Sequence, residues 1–312
     1  MNLTSVASQV EESDIGKDDI EVSVGELSVT DDGFISYGDR VLHPNDWAWY
    51  EIWSKASKGT TKSYMMKHPT DLWTQMLEFD LSEISNKQWL LRARHDDILG
   101  VVTPIYKIFN NRDVVRALQE NLGSEHRVHR MFIDDKLFYV KILYPEAAFK
   151  IGDDTYHIGF ITMNSEVGYR NLSNSTIVYR VGYNDAQLSR HASMSVRHAG
   201  RDFDEMSNSL GASIDAGKDL KTIYIELITN ASMVEIKEDD IEENLEFVKR
   251  RLKLSGKKIK EIRDLFSNEA QTKMGLINSI SMNAMGMRGD LRIMMESAAG
   301  SLLDAKFPCE GE

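Results

Sequence analysis

Two stretches of this 312-residue chain concentrate cations, although its formal net charge is −12. The first, Arg190 to Arg201, contains no acid and sets Arg190, Arg197, His198 and Arg201 among serines and a glycine. Arginine forks, with glycine allowing close backbone approach, suit contact with phosphate oxygens. The second stretch runs Lys249-Arg250-Arg251-Leu252-Lys253 and on through Lys257, Lys258, Lys260 and Arg263, with Glu261 the one acid inside it. On a helix these cations line the side away from the apolar stripe. They form either a solvated face that offsets the acids between Glu238 and Glu246, or an electrostatic contact with a nucleic-acid backbone. Tyr169, Tyr179 and Tyr183 lie near the first stretch in sequence and are candidate base-stacking partners; core packing explains strand tyrosines equally well.

Other chemistry is less specific. Glu235-Ile236-Lys237, with Glu226 or Asp219 upstream, has the acid-x-lysine spacing of nucleases in which carboxylates hold magnesium. The same residues lead into Glu238-Asp239-Asp240, the acidic first turn of a helix. His126 and His129 are three apart but stand where a strand begins, without a third ligand nearby. His95-Asp96-Asp97 and Asp153-Asp154 carry oxygen ligands for a divalent ion and equally have the composition of turns. There is no phosphate-cradling Gly-x-x-x-x-Gly-Lys-Ser/Thr loop, no Gly-x-Ser-x-Gly elbow and no His-Glu-x-x-His helix. The single cysteine, Cys309, excludes a disulfide framework and a cysteine-cluster metal site, and points to a reducing, intracellular setting. The expectation is a non-catalytic protein without a cofactor, magnesium entering only with the nuclease alternative.

The elements that must position these residues follow from composition and periodicity. With 42% apolar and 28% charged residues the chain is of globular type. No apolar run reaches the roughly 18 residues of a membrane span, and the N-terminus lacks a signal pattern, so a cytoplasmic protein is expected. Residues 1–32 hold nine acids against the single base Lys17 and read as a flexible acidic arm, either solubilising or competing with nucleic acid for a basic groove. Residues 33–235 read as an α+β core. A helix is expected from Val41 to Ser57, with Trp47, Tyr50 and Trp53 on one face, and another from Thr70 to Phe79 that groups Leu72, Met76 and Phe79. Alternating segments then predict a mostly antiparallel sheet, interrupted by a helix after Asn110 that buries Val114, Val115 and Leu118. Residues 236–312 read as helical. An apolar stripe runs from Ile241 to Phe266 and again from Ile277 through Leu291 and Met294 to Leu302, suiting a helical hairpin or coiled-coil-like seam. That seam either closes over the protein's own sheet or joins copies into a homo-oligomer.

Several segments, in order through about residues 40–300, resemble the phage and plasmid proteins of domain of unknown function 932. They are Arg40 to Trp47, Leu90-Leu91-Arg92, Val101 to Tyr106 leading into Asn110-Asn111-Arg112-Asp113, Val178-Tyr179-Arg180-Val181 and Arg197 to Arg201. The most specific is Gly159 to Gly168, which ends in Asn164, Ser165, Glu166, Val167 and Gly168. One departure is Gly182-Tyr183-Asn184-Asp185, where the family's pattern has Cys-Thr-Asn-Gly. The resemblance implies a mobile-element gene product in a bacterial cytoplasm and implies no activity. Asn164, Ser165, Glu166 and Gly168 sit at a strand end, as a bend or as the lip of a ligand site shared with Arg197, His198 and Arg201. Together these features favour a protein that binds single-stranded DNA in recombination or replication, similar in plan to single-strand annealing proteins. The alternatives are a metal-dependent nuclease using Glu226, Glu235 and Lys237 or a Glu166/His198 cluster, and a protein-interaction or anti-host factor acting through the seam.

Overall fold

The computed structural model describes residues 1–57, 67–122, 126–181, 187–188, 193–198, 202–287 and 289–304. Its acidic N-terminus is folded, which corrects the expectation of a flexible arm. Asn2 caps α1 (Leu3–Asp14), its Oδ1 accepting from Ser5 N at 2.9 Å, and Leu3, Val6 and Val10 form a buried stripe. These three contribute to one core with Val115 and Leu118. The strand β1 (Lys17–Ser23) then pairs antiparallel with β5 (Gln88–Arg94). Few apolar residues suffice because they recur at helical spacing, while Glu11 and Glu12 face solvent.

The first sheet comprises β1, β2 (Leu27–Val29), β3 (Ile35–Tyr37), β4 (Arg40–Pro44), β5 and β6 (Asp97–Val102), in the order β1-β5-β6-β4-β3-β2. All pairs are antiparallel except β4 with β6. The helix expected from Val41 begins later, because Pro44 ends a strand and Asn45 caps α2 (Asp46–Ala56) through Ala48 N at 2.9 Å. This helix carries two aromatic faces. Ala48, Trp49, Ile52, Trp53 and Ala56 are buried, and Trp47 and Tyr50 are left outside that core. The next helix, α3 (Thr70–Glu83), likewise buries Trp73, Leu77 and Leu81 and exposes Leu72, Met76 and Phe79, the reverse of the expected face. Turning the indole inward removes the largest apolar surface from water.

The second sheet has the order β11-β10-β9-β8-β7, formed by β7 (Arg127–Ile133), β8 (Phe138–Ile151), β9 (Asp154–Asn164), β10 (Leu172–Arg180) and β11 (Gln187–Leu188). A twelfth strand, β12 (Ser193–Val196), pairs with the Leu172 end of β10. One end of this sheet packs against α1, α4 (Asn111–Asn121) and α5 (Phe203–Asp219). The other end packs under α6 (Lys221–Met233), α7 (Glu238–Leu252), α8 (Gly256–Phe266), α9 (Lys273–Met285) and α10 (Gly289–Asp304). The apolar stripe is shared among four helices of this C-terminal region. Lys253, at φ +52°, and the Ser255 cap of α8 break it into short helices, whose stripe residues share a core with Tyr156, Ile158 and Val178 of the sheet. Residue 236 consequently separates no two cores, and of the stripe's apolar residues Leu291 and Met294 are exposed. Among the described residues no helix is long and apolar enough to cross a membrane. The antiparallel-rich α+β architecture agrees with the sequence expectation.

Because Val10 is fully buried, Val10→Asp should lower unfolding stability by about 3 kcal/mol in urea titration, through an unpaired buried carboxylate. An unchanged midpoint would show that α1 is not part of the core.

Candidate nucleic-acid interface

The segment Asn164–Gly168 closes β9 and joins the two sheets. Asn164 donates from Nδ2 to Phe109 O at 2.8 Å and to Asn111 Oδ1 at 2.9 Å. Ser165 Oγ accepts from Tyr169 N at 3.0 Å, while the Tyr106 hydroxyl donates to Ser165 O at 2.9 Å and accepts from Gly168 N at 3.2 Å. Gly168 has φ +76°, which a side chain would oppose. From the first sheet's side, Trp47 Nε1 donates to Val167 O at 2.9 Å, and a Cβ at Gly100 would lie 2.4 Å from Val167 Cβ. The turn fits because both partners are locally small or polar.

Glu166 is the centre of this joint. It is 5% exposed. Its Oε2 accepts from Lys17 Nζ at 2.7 Å and Arg92 Nη2 at 3.3 Å, and its Oε1 accepts from Asn111 N at 2.6 Å in the first turn of α4. Burial alone would raise its pKa, but the Lys17 and Arg92 charges and the hydrogen bonds from Lys17 and Asn111 hold it below the ordinary value. Arg92 is buried too; its other contacts are Asp19, at 2.8 Å, and Asn110 Oδ1, at 2.7 Å. Burial would lower its pKa, and Glu166 and Asp19 raise it further instead. With its oxygens engaged in this way, Glu166 is a structural ion and not the lip of a ligand site.

His198 stands beside this joint, yet it is 3% exposed. Its ring stacks on Tyr106 at 4.8 Å and 6°, and Nδ1 lies 3.2 Å from Lys107 O. Burial pushes its pKa down to about 4, so near neutral pH it is uncharged and out of reach of a phosphate. This removes His198 from the expected nucleic-acid-binding set. Arg197 is exposed, and Arg190 and Arg201 lie outside the described residues, as does Tyr183. The second basic stretch is partly neutralised by its own helices: Lys249 pairs with Glu246 at 2.9 Å, Lys258 with Glu261 at 2.6 Å, and Arg263 with Glu238 at 2.8 Å and with Glu242. Arg250, Lys253 and Lys257 are exposed. Arg197 follows β12 at the Leu172 end of β10, whereas α7 and α8 share the core beneath its Val178 end. The described parts of the two stretches thus belong to different cores, Arg197 following Val196 in the core of α1, α4 and α5.

The metal expectations also change. Glu226 is on α6, while Glu235 bridges to Thr272 and Lys237 caps α7. Among the described residues no group of three His, Cys, Asp or Glu could hold a metal ion. His129 instead packs on Tyr179, ring centroids 4.6 Å apart, across a bulge in β7.

A different group of residues comes together where the sheets meet. Trp47 stacks on Tyr50 at 5.1 Å and 22°, and Tyr50 is 51% exposed. Tyr169, in the turn after Gly168, meets Trp47 edge-on at 4.8 Å. Lys136 Nζ, from the β7–β8 turn, is 5.3 Å from the Tyr169 ring centre and Arg170 Cζ is 5.7 Å away. Three aromatic rings and two cations make a ledge across the joint, the combination that takes unpaired bases and their phosphates. Tyr169 was legible as a stacking candidate; Trp47 and Tyr50 were grouped with Trp53 on one helix face. The signal for them was α2 itself, with aromatic residues on two faces when only one can meet the core. Lys136 and Arg170 gave none.

No family model matches the chain, and no curated protein or solved structure is similar to it.

Glu166→Gln should cost about 3–5 kcal/mol by urea unfolding, since it leaves Lys17 and Arg92 buried against a neutral partner. Acid acts in the same direction. The depressed Glu166 contributes stability that is complete above its unfolded value of 4.5 and fades as pH falls through its folded value. For His198 the loss starts near 6.5 and continues to about 4, where the unfolded chain takes a proton that the folded ring refuses. Stability should therefore drop between pH 7 and pH 4.5, with His198 contributing on the order of 3 kcal/mol. A flat stability profile in that window would contradict the burial of His198.

Proposed function

We propose that the protein binds single-stranded nucleic acid, DNA in the first instance, without catalysis, and that the ledge of Trp47, Tyr50 and Tyr169 with Lys136 and Arg170 is where it does so. The observation that carries this reading is the continuous run of ring contacts from exposed Tyr50 to Tyr169, ending on two cations. An acidic protein can hold a polyanion in this way because base stacking, worth about 1–3 kcal/mol per base, is independent of net charge. Few phosphate contacts also mean a shallow salt dependence, about −0.7 in log–log slope for each phosphate neutralised on a single strand. The ordered motifs resembling domain of unknown function 932 support, as a further part of the proposal, a mobile-element role in recombination or replication inside a bacterial cytoplasm.

The test is fluorescence anisotropy with a labelled oligothymidylate at about 0.05 M salt, where phosphate contacts are strongest. Tyr50→Ala should weaken binding by about tenfold and Lys136→Ala by a smaller factor, both leaving the fold intact because neither side chain is buried. Alanine at Lys249, Lys253, Lys257 and Lys258 together should change affinity less than Tyr50→Ala does. Loss of binding in that quadruple variant, with Tyr50→Ala unaffected, would move the site to the basic helices. Absence of binding by the unaltered protein would refute the reading.

A further inference from the structure

A second aromatic cluster lies on the other face of α2 and has no part in the ledge. A cavity of about 420 Å³ elsewhere, between α1 and α4, is lined by mixed charges; this one, about 320 Å³, is lined mainly by rings. Its walls are Trp49 and Trp53 of α2, Trp73 of α3, Phe34 of β2–β3 and His68, with Asp32 at its edge. Trp73 meets Trp49 at 5.8 Å and 87° and Trp53 at 6.1 Å and 63°. The indoles are buried and Phe34 is 38% exposed, so the indoles form a floor and Phe34 the wall that meets solvent.

The acid at the edge is held in place. Thr30 to Gly33 make a tight turn in which Gly33 N donates to Thr30 O at 2.8 Å and Phe34 N to Thr30 Oγ1 at 2.9 Å. Gly33 has φ +82°, and a Cβ there would lie 2.6 Å from the Trp73 ring, so the turn presses against the indole. This holds the backbone on both sides of exposed Asp32, which lines the cavity with the rings. No lysine or arginine among the described residues lines the cavity. Ring faces are negative and so is the carboxylate, and both attract a cation that is large, soft and weakly hydrated.

We propose that this cavity binds a methylated ammonium group, with Trp49, Trp53, Trp73 and Phe34 as its cage and Asp32 as its counter-charge. A primary ammonium fits less well because it gives up stronger hydration, and an anion or a neutral base would gain nothing from Asp32. The group could belong to a trimethylated lysine side chain or to a choline headgroup, which share the chemistry.

Choline and its neutral isostere 3,3-dimethylbutanol separate charge from shape. Titrated into the full-length protein and followed by indole fluorescence and ligand-observed NMR, choline should bind with a dissociation constant on the order of 1 mM and show ring-current shifts of its methyl protons. The isostere should bind at least about fivefold more weakly. Asp32→Asn should weaken choline by about fivefold to tenfold without changing the melting temperature, and Phe34→Leu should act similarly if the Asp32 variant proves unstable. N-acetyl-trimethyllysine amide and phosphatidylcholine vesicles then assign the source by which of them binds in an Asp32-dependent manner. Equal binding of choline and the isostere, or no saturable binding of choline by the unaltered protein, would overturn the proposal. Neither result bears on oligonucleotide binding at the ledge, which uses different residues.

Discussion

The two sheets are held in register by one buried carboxylate. Glu166 reaches out of the turn after β9 to a lysine on β1, an arginine on β5 and the backbone N–H that starts α4. An ion so far from water loses several kcal/mol of hydration, and only a complete set of partners offsets that loss. All its partners must therefore be present together. This makes the arrangement of β1, β5, β9 and α4 a single cooperative feature, although these elements span residues 17 to 166 of the chain. The same requirement explains why the N-terminus is folded despite its charge. Lys17 is its one cation, and it is consumed by Asp14 and Glu166 rather than left to solvent.

Charge is also why the cationic stretches are weaker candidates than composition suggested. In α7 and α8 the bases lie one turn from acids, where helical spacing pairs them locally, and such exposed pairs contribute little to stability. Two further cations, Lys141 and Arg292, are spent inside the molecule on Glu296 beneath the second sheet. A binding surface on such a protein has to draw on something other than an excess of positive charge, and exposed or half-exposed rings are the resource that remains.

The architecture was largely legible. Alternation located β5 through β10, and the helix at Asn111 buries the Val114, Val115 and Leu118 stripe as spacing predicts. The faces of α2 and α3 were not legible, because each helix has two apolar stripes and periodicity alone does not choose between them. In α2 the buried face is the one with Trp49, Ile52 and Trp53, and in α3 the one with Trp73, which leaves Trp47, Tyr50, Leu72, Met76 and Phe79 outside that core. The acidic N-terminus was misread for a related reason: composition averages over a segment, while three apolar residues at the right spacing decide whether a helix docks. In the candidate site the sequence drew attention to Asn164–Gly168, which the structure places at the joint between the sheets. Whether it was a bend or a ligand lip depended on Lys17 and Arg92, which lie far away in sequence and carry no local mark.

The helix α2 connects these observations. Its inward face supplies two of the three indoles in the cavity and its outward face two of the three rings of the ledge. A rigid helix cannot adjust one face independently of the other, so its position is constrained twice. On one side Trp49 and Trp53 are packed against Trp73. On the other, the Trp47 indole N–H is bonded to Val167 O, in the peptide next to Glu166. The geometry of the ledge is therefore inherited from the buried ion cluster: the turn that Glu166 anchors places Tyr169 and also holds the indole against which Tyr169 packs. The spacing of residues around Asn164–Gly168 is then a demand of the joint, and the surface chemistry follows from it at one remove.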